Sequence, residues 1–397
     1  MNNNVALVKC SEYNDAVFDS VKTAIDNLGG IQNFVKPGQS VLLKVNAVMK
    51  SNPEKCATTH PLVVEAIGKL CKDAGASRVI IADSAGGPFT AGYMGGIFKA
   101  CGYTDIAEKN GFFINDNFDS FEAQHPSGKV AKKFLICDCL KQVDVIINVT
   151  KLKTHSFTGM TNAVKNMFGA VPGLTKVEAH GQYRTLEVFG DFLYDILDFF
   201  GAKLVLHLTD AVMCMQGAGP TNGTPKFVGA ILAGANPVAV DIVGARLMNY
   251  DPSTLPNILT GVDRGYIDKD LTVNIVGENI EPMIVRDFET VVPNGFKPFA
   301  NAIPQWLQPV VHKLTTQRPA IKKSKCKGCK KCFEHCPVQA ITMTKRRNGK
   351  LYAKFDYNKC IRCYCCQELC PFGVVKVKSG VVYKLMHLGS KKKIKKQ

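Results

Sequence analysis

The run Cys-x2-Cys-x2-Cys-x3-Cys-Pro occurs twice near the C-terminal end of the chain. It appears as Cys326, Cys329, Cys332, Cys336, Pro337 and again as Cys360, Cys363, Cys366, Cys370, Pro371. Three thiolates on one tight loop reach three corners of a cubane, so a fourth ligand has to come from elsewhere. This is the bacterial-type pattern for paired [4Fe–4S] clusters, in which the fourth cysteine of each run serves the other cluster. The spacing predicts Cys326, Cys329, Cys332 and Cys370 on one cluster, and Cys360, Cys363, Cys366 and Cys336 on the second. Zinc sites pair two separated half-sites instead, and two in-phase copies closed by Cys-Pro do not read that way.

The chain has 397 residues, enough for one large domain and a small one. It opens Met1-Asn-Asn-Asn-Val-Ala-Leu, with no basic segment and no apolar core, so we expect no signal peptide. Sixteen cysteines, half of them in the cluster pattern, then point to a reducing, cytoplasmic setting rather than a disulfide scaffold. The longest stretches free of charge are 15 residues and contain Gly or Pro. A membrane span wants roughly 18 or more apolar residues.

Charge is unevenly placed. Residues 313–397 hold 23 Lys and Arg against 3 acids, within a chain whose net charge is +17. A basic electron-transfer module steers acidic partners toward itself, so an acidic ferredoxin or flavodoxin is the expected partner, with an anionic membrane face as another. Nucleic acid fits less well, because the charges interleave with cysteines rather than with a helix-turn-helix, zinc-finger or stacking pattern. The lysine run at 391–396 reads as a solvated tail.

Upstream, β-rich runs alternate with helical patterns, which predicts an α/β domain with a largely parallel sheet flanked by helices. We expect that domain over 1–295 and a proline-containing connector around Trp306 over 296–314. A small α+β ferredoxin-like domain follows over 315–390, then the basic tail over 391–397. Strands are predicted at 41–46, 78–83, 143–150, 203–210 and 227–232. Helices are predicted at 61–74, 160–170, 186–200 and 236–248, the last opened by Asn236-Pro237. On the 186–200 helix, Glu187, Asp191, Asp195 and Asp198 form a stripe that reads as a solvated face. Asn348-Gly349 predicts a two-residue hairpin turn.

Parallel sheets bind ligands at the carboxyl ends of their strands. Here those ends carry Lys44 and Asn46, Asp83, Asp210, and the segment Lys151-Leu-Lys153-Thr-His155. Two lysines and a histidine ahead of a predicted helix N-terminus make a natural site for a small anionic ligand. Asp241 sits on an apolar helix, and His60 and His180 are candidate acid–base groups. His207 reads as a core histidine. The glycines at 217–223 do not precede a helix and so do not form a dinucleotide fingerprint.

The blocks Lys44-Val-Asn46, Thr59-His60-Pro61, Lys151-Leu-Lys153-Thr-His155, Thr161-Asn162-Ala163-Val164-Lys165-Asn166 and Asn236-Pro237-Val-Ala-Val-Asp241, with the second cysteine run, resemble the family called domain of unknown function 362, in its version with a C-terminal dicluster ferredoxin. The resemblance implies two [4Fe–4S] clusters and a site where Lys44, Asn46, Lys153, His155, Asn162 and Asp241 meet. It names no reaction.

The leading expectation is an iron–sulfur oxidoreductase that passes electrons through both clusters to a substrate or second cofactor in the large domain. In it, Lys153, His155 and His60 serve catalysis, while Lys44, Asn46, Asp83, Lys151, Asn162, Asp210 and Asp241 bind the cofactor or ligand. Two rivals are a non-catalytic carrier or adaptor that docks a redox partner, and an iron–sulfur sensor or assembly factor. An open pocket at the strand ends separates the first from the second.

Overall fold

The computed structural model describes residues 2–293 and 317–378. The connector around Trp306 and the tail at 391–397 lie outside the described residues. A sheet of nine strands organises the large domain. It is built from β1 (Asn4–Lys9), β2 (Ser40–Lys44), β3 (Arg78–Ala82), β4 (Phe113–Ile114), β7 (Val145–His155), β8 (Gly159–Thr161), β9 (Leu204–Gln216), β10 (Thr224–Gly234) and β11 (Asn274–Gly277); β5 (Ser120–Gln124) and β6 (Lys133–Cys137) form a separate hairpin. The spatial order is β11-β1-β10-β9-β7-β2-β3-β4, with β8 folded back on β7. The run from β9 to β4 is wholly parallel, and β10 is antiparallel to both its neighbours.

Successive residues of a strand face opposite sides, and this chain uses both. Leu42 and Ile146 enter one core, while Val41, Leu43 and Ile147 enter the other. Helices α1 (Ala16–Asp26), α2 (Pro61–Asp73), α3 (Ala91–Ala100) and α4 (Tyr103–Asn110) cover the second core; α5 (Ala163–Asn166), α7 (Leu186–Phe200), α8 (Pro237–Leu247) and α9 (Pro256–Asp263) cover the first, and α6 (Thr175–Gln182) lies between α5 and α7 in the chain. Two starts follow the predicted capping. The Asn236 side chain accepts from the Val238 amide at 3.0 Å ahead of Pro237, and His60 Nδ1 accepts from the Leu62 amide at 3.3 Å ahead of Pro61. No helix among the described residues is long and apolar enough to cross a membrane.

Several expectations change. The strand at 143–150 continues to His155, so Lys151, Lys153 and His155 lie in a buried strand and not in a loop. The expected helix at 160–170 is instead the short β8, the four-residue α5 and a 3-10 turn. The acid stripe of α7 is a solvated face only in part: Glu187 and Asp198 are exposed, while Asp191 and Asp195 are buried. Arg264 reaches Asp195 at 2.8 Å and Asp198 at 2.5 Å, and Asp195 also accepts from the amides of Lys129, Val130 and Ala131. A guanidinium and three amides from distant sequence bury carboxylates that periodicity alone assigns to solvent.

The small domain pairs β12 (Arg318–Ile321) with β15 (Val375–Lys378) and β13 (Ile341–Lys345) with β14 (Leu351–Phe355), both antiparallel. The turn between the last pair is longer than predicted. Gly349 N donates to Arg346 O, and Gly349 itself takes φ 78°, a left-handed position suited to glycine.

Candidate functional site

Strand β2 is followed by β3 on one side, while β7 joins on the other, so strand order reverses between β2 and β7. Such reversals leave a crevice at the carboxyl ends. A cavity of about 600 Å³ lies there. Lys44, Asn46, Asp83, Lys153 and His155 line it from the sheet, Lys165, Lys176 and His180 from the helices, and Glu334, Cys365 and Glu368 from the small domain. Residues of the two cysteine loops thus form one wall of the cavity.

Lys44 ends β2 and pairs with Asp83 at 2.7 Å, both buried. The space for this pair comes from Gly169, where a Cβ would stand 2.2 Å from Asp83 Oδ1 and 2.5 Å from Lys44 Nζ. Lys153 Nζ donates to Asn46 Oδ1 at 2.8 Å and to the Ala57 carbonyl. Asn46 donates to Asn166 Oδ1 and Asn166 to Asn148 Oδ1, each at 2.7 Å, so three amides set the lysine's position. Burial drops the Lys153 ammonium to about 7, against the pull of Glu368 and Asp83. Burial likewise brings Lys165 and Lys176 to about 8.

Burial, reinforced by Lys165, His180 and Lys153, holds the His155 imidazole neutral by pushing its pKa well down. Its Nδ1 accepts from the Phe157 amide at 3.1 Å, which leaves the proton on Nε2. That Nε2 faces Glu368 Oε1 at 3.5 Å.

Five other predicted residues do not line the cavity. Lys151 donates to Asp210 and to the Tyr13 hydroxyl, each at 2.8 Å, and Tyr13 donates to the other Asp210 oxygen at 2.7 Å. His60 stacks on the Tyr13 ring at 3.6 Å, and its amide donates to Asp210 at 2.8 Å. These four make a closed buried network beside the cavity. Asp241 accepts from the Ala163 amide at 2.7 Å and so caps α5, while Asn162 bonds Val240 O and Thr209. Both hold α5 against α8. His207 is a core histidine that faces Asn148 Nδ2 at 2.9 Å.

The glycine-rich segment 217–223 has a role that its pattern did not reveal. Ala218 O accepts from Gln367 Nε2 at 3.1 Å, and Asn222 donates to Gln367 O at 3.5 Å, which seats the short helix Cys365–Glu368 on the large domain. Gly219 lets this segment lie against β7, where a Cβ would stand 2.0 Å from the Thr154 carbonyl oxygen.

Two groups of cysteines lie close together in the small domain. Burial, then the nearby thiols of Cys370, Cys329 and Cys326, raises Cys332 to about 12. Cys336, Cys360, Cys363 and Cys366 line one small cavity with Val338, Ile341 and Phe355. The Ala340 amide points at Cys336 Sγ at 3.2 Å. Four thiols per set in an apolar seat, with an amide aimed at sulfur, suit a [4Fe–4S] cluster. A [4Fe–4S] cluster held by each set would supply one-electron transfer.

Residues 41–246 match the family described as Domain of unknown function (DUF362). The chain belongs to that family. Residues 325–374 match a 4Fe-4S dicluster domain, so the protein carries iron–sulfur electron transfer on a DUF362 body. A thylakoid-associated protein of Synechocystis sp. is 31% identical over 265 residues, covering 64% of this chain and 77% of that protein. An uncharacterized protein of Methanocaldococcus jannaschii is 43% identical over 270 residues; the match covers 64% of this chain and 63% of that protein's length. An uncharacterized ferredoxin of the same archaeon is 36% identical over 58 residues, 15% of this chain and 74% of its own.

The DUF362 segment supplies Lys44, Asn46, Asp83, Lys153, His155, Lys165 and Lys176, and the dicluster segment supplies Cys365 and Glu368. Lys176 and Glu368 drew no attention in the sequence. One sits mid-pattern on a short helix and the other looks like any glutamate between cysteines. The 34-residue offset that fixes the cluster loops was the only available pointer to Glu368.

Proposed function

We propose that the protein is an iron–sulfur oxidoreductase whose substrate or second cofactor sits in the cavity between the DUF362 body and the cysteine loops. One observation carries this reading: Cys365 and Glu368, flanking the ligand Cys366, form a wall of the same cavity that Lys153 and His155 line. A carrier that only docked a partner would need no such open cavity beside its clusters. Lys153 and Asn46 orient the bound group, and the neutral His155 presents its Nε2 proton toward the cysteine wall. Electrons enter from outside at the first cysteine set, where Cys329 is exposed amid Lys327, Lys330 and Lys331. That surface suits an acidic ferredoxin or flavodoxin.

The test uses the anaerobic, iron-loaded protein, reduced chemically and freed of reductant. Small-molecule fractions of a cell extract are added while the visible absorption of the oxidised clusters is followed. Reoxidation by a fraction, lost in Lys153→Met at unchanged iron content, supports the reading. Reoxidation that is equally fast in Lys153→Met, or none with any fraction, moves the assignment to a carrier.

A further inference from the structure

Three ammonium groups of the cavity have no carboxylate partner among the described residues. Lys153 bonds only the neutral Asn46 and a carbonyl. Lys176 bonds Ser84 Oγ at 2.9 Å and the Val171 carbonyl. Lys165 makes no hydrogen bond or ion pair among these residues; its Nζ rests 4.3 Å from the Phe168 ring centroid and 5.4 Å from that of Phe189. All three side chains are more than nine-tenths buried, at 1%, 8% and 8% exposure for Lys153, Lys176 and Lys165.

Buried cations without counter-charge are costly, and chains do not keep three in one cavity without something to meet them. Lys44 is accounted for by Asp83. Of the other acids lining the cavity, Glu334 is exposed, as are Lys50 and Lys331 on the same lining, which leaves Glu368, partly buried with its side chain 23% exposed and its Oε1 without a hydrogen-bond partner. Three ammoniums against one carboxylate leave an excess of two positive charges.

We propose that the cavity binds a small dianionic oxyanion compound, a phosphoryl group or a dicarboxylate, clamped by Lys153, Lys165 and Lys176. The oxidoreductase reading supplies the role of this compound as the reacting partner, and the present inference deepens that reading by naming its chemical class. Lys165 and its ring platform are the specificity feature. A cation over two aromatic faces holds its charge without being neutralised, so it stays available to a ligand. Ser84 Oγ and the Gly87 turn beside Lys176 offer further polar contacts for one end of the ligand.

Isothermal titration calorimetry on the iron-loaded, oxidised protein tests this with inorganic phosphate and with malonate, each against sodium chloride at matched ionic strength. We expect one saturable site for at least one probe, weakened about tenfold or more, or about 1.4 kcal/mol, in Lys165→Met and in Lys176→Met and unchanged in Lys22→Met on the exposed face of α1. Tighter phosphate binding marks a phosphoryl ligand, and tighter malonate binding marks a dicarboxylate. The proposal is overturned if neither probe exceeds chloride, or if both variants, with wild-type iron content and visible spectrum, bind as the parent does. No reductant is present, so the two readings fail separately. Saturable binding without any turnover removes the oxidoreductase reading and leaves the anion site. Turnover of an uncharged compound with no probe binding does the reverse.

Discussion

Gly169 shows how tightly single positions are determined at this site. Its missing side chain is filled by the Lys44–Asp83 pair, so Gly169→Ala has to displace two buried charges. Overpacking of this sort costs about 1–3 kcal/mol, and we expect a loss in that range on denaturant unfolding, together with weakened ligand binding. The same scale governs pH. Lys153 titrates near 7 and Lys165 and Lys176 near 8 because burial disfavours their charged forms. An anion needs those charges, so affinity for malonate, which stays a dianion across this range, should fall as pH rises through about 7 and 8, Lys153 losing its charge first. Calorimetry at three pH values checks it, and a flat profile or one rising with pH contradicts the lysine clamp. Residue chemistry was legible where a strand end concentrates it, as at Lys44, Asn46, Asp83, Lys153 and His155. It was misleading at Lys151 and Asp210, since sequence does not show that two strand-end residues satisfy each other across β7 and β9 with Tyr13 between them.

At the level of elements, α7 and its partner α9 are held by a polar lock more than by their apolar faces alone. Although burial opposes its charge, the Asp195 carboxyl is held below the usual range by three backbone amides and Arg264. A carboxyl depressed in this way contributes stability above its unfolded value and loses it as pH falls through the folded one. Asp195→Ala should cost about 3–5 kcal/mol, as when one partner of a buried ion pair is removed, and its deficit relative to the parent should shrink in acid. Chemical denaturation at neutral and acidic pH measures both. Among the elements expected from the chain, β2, α2, β3, α7 and α8 fall within a few residues of their patterns, because apolar period and Pro-based starts agree there. The segment 160–170 could not. Its apolar run satisfies a helix pattern, but β8 is claimed by pairing with β7 and α5 is anchored by Asp241 from 78 residues away. Likewise the glycines at 217–223 mark close backbone approach, which a pattern cannot tell from a nucleotide loop.

For the whole molecule, the uneven charge has a kinetic signature. The described small domain is lysine-rich around an exposed Cys329, and it also exposes Phe333 and Phe372. Reduction by an acidic ferredoxin should therefore slow on the order of tenfold between about 0.01 M and about 0.15 M salt, as the screening length shrinks. A salt-independent rate, measured by stopped-flow absorption, would contradict that docking face. The net positive charge also raises the expected cluster potentials above those of acidic dicluster proteins, which a redox titration reads directly. The seating of Cys365–Glu368 on Ala218 and Asn222 has one more effect. The peptide that walls one side of the chamber is also the peptide that grips the iron, so oxidative loss of metal would loosen the chamber wall in the same event.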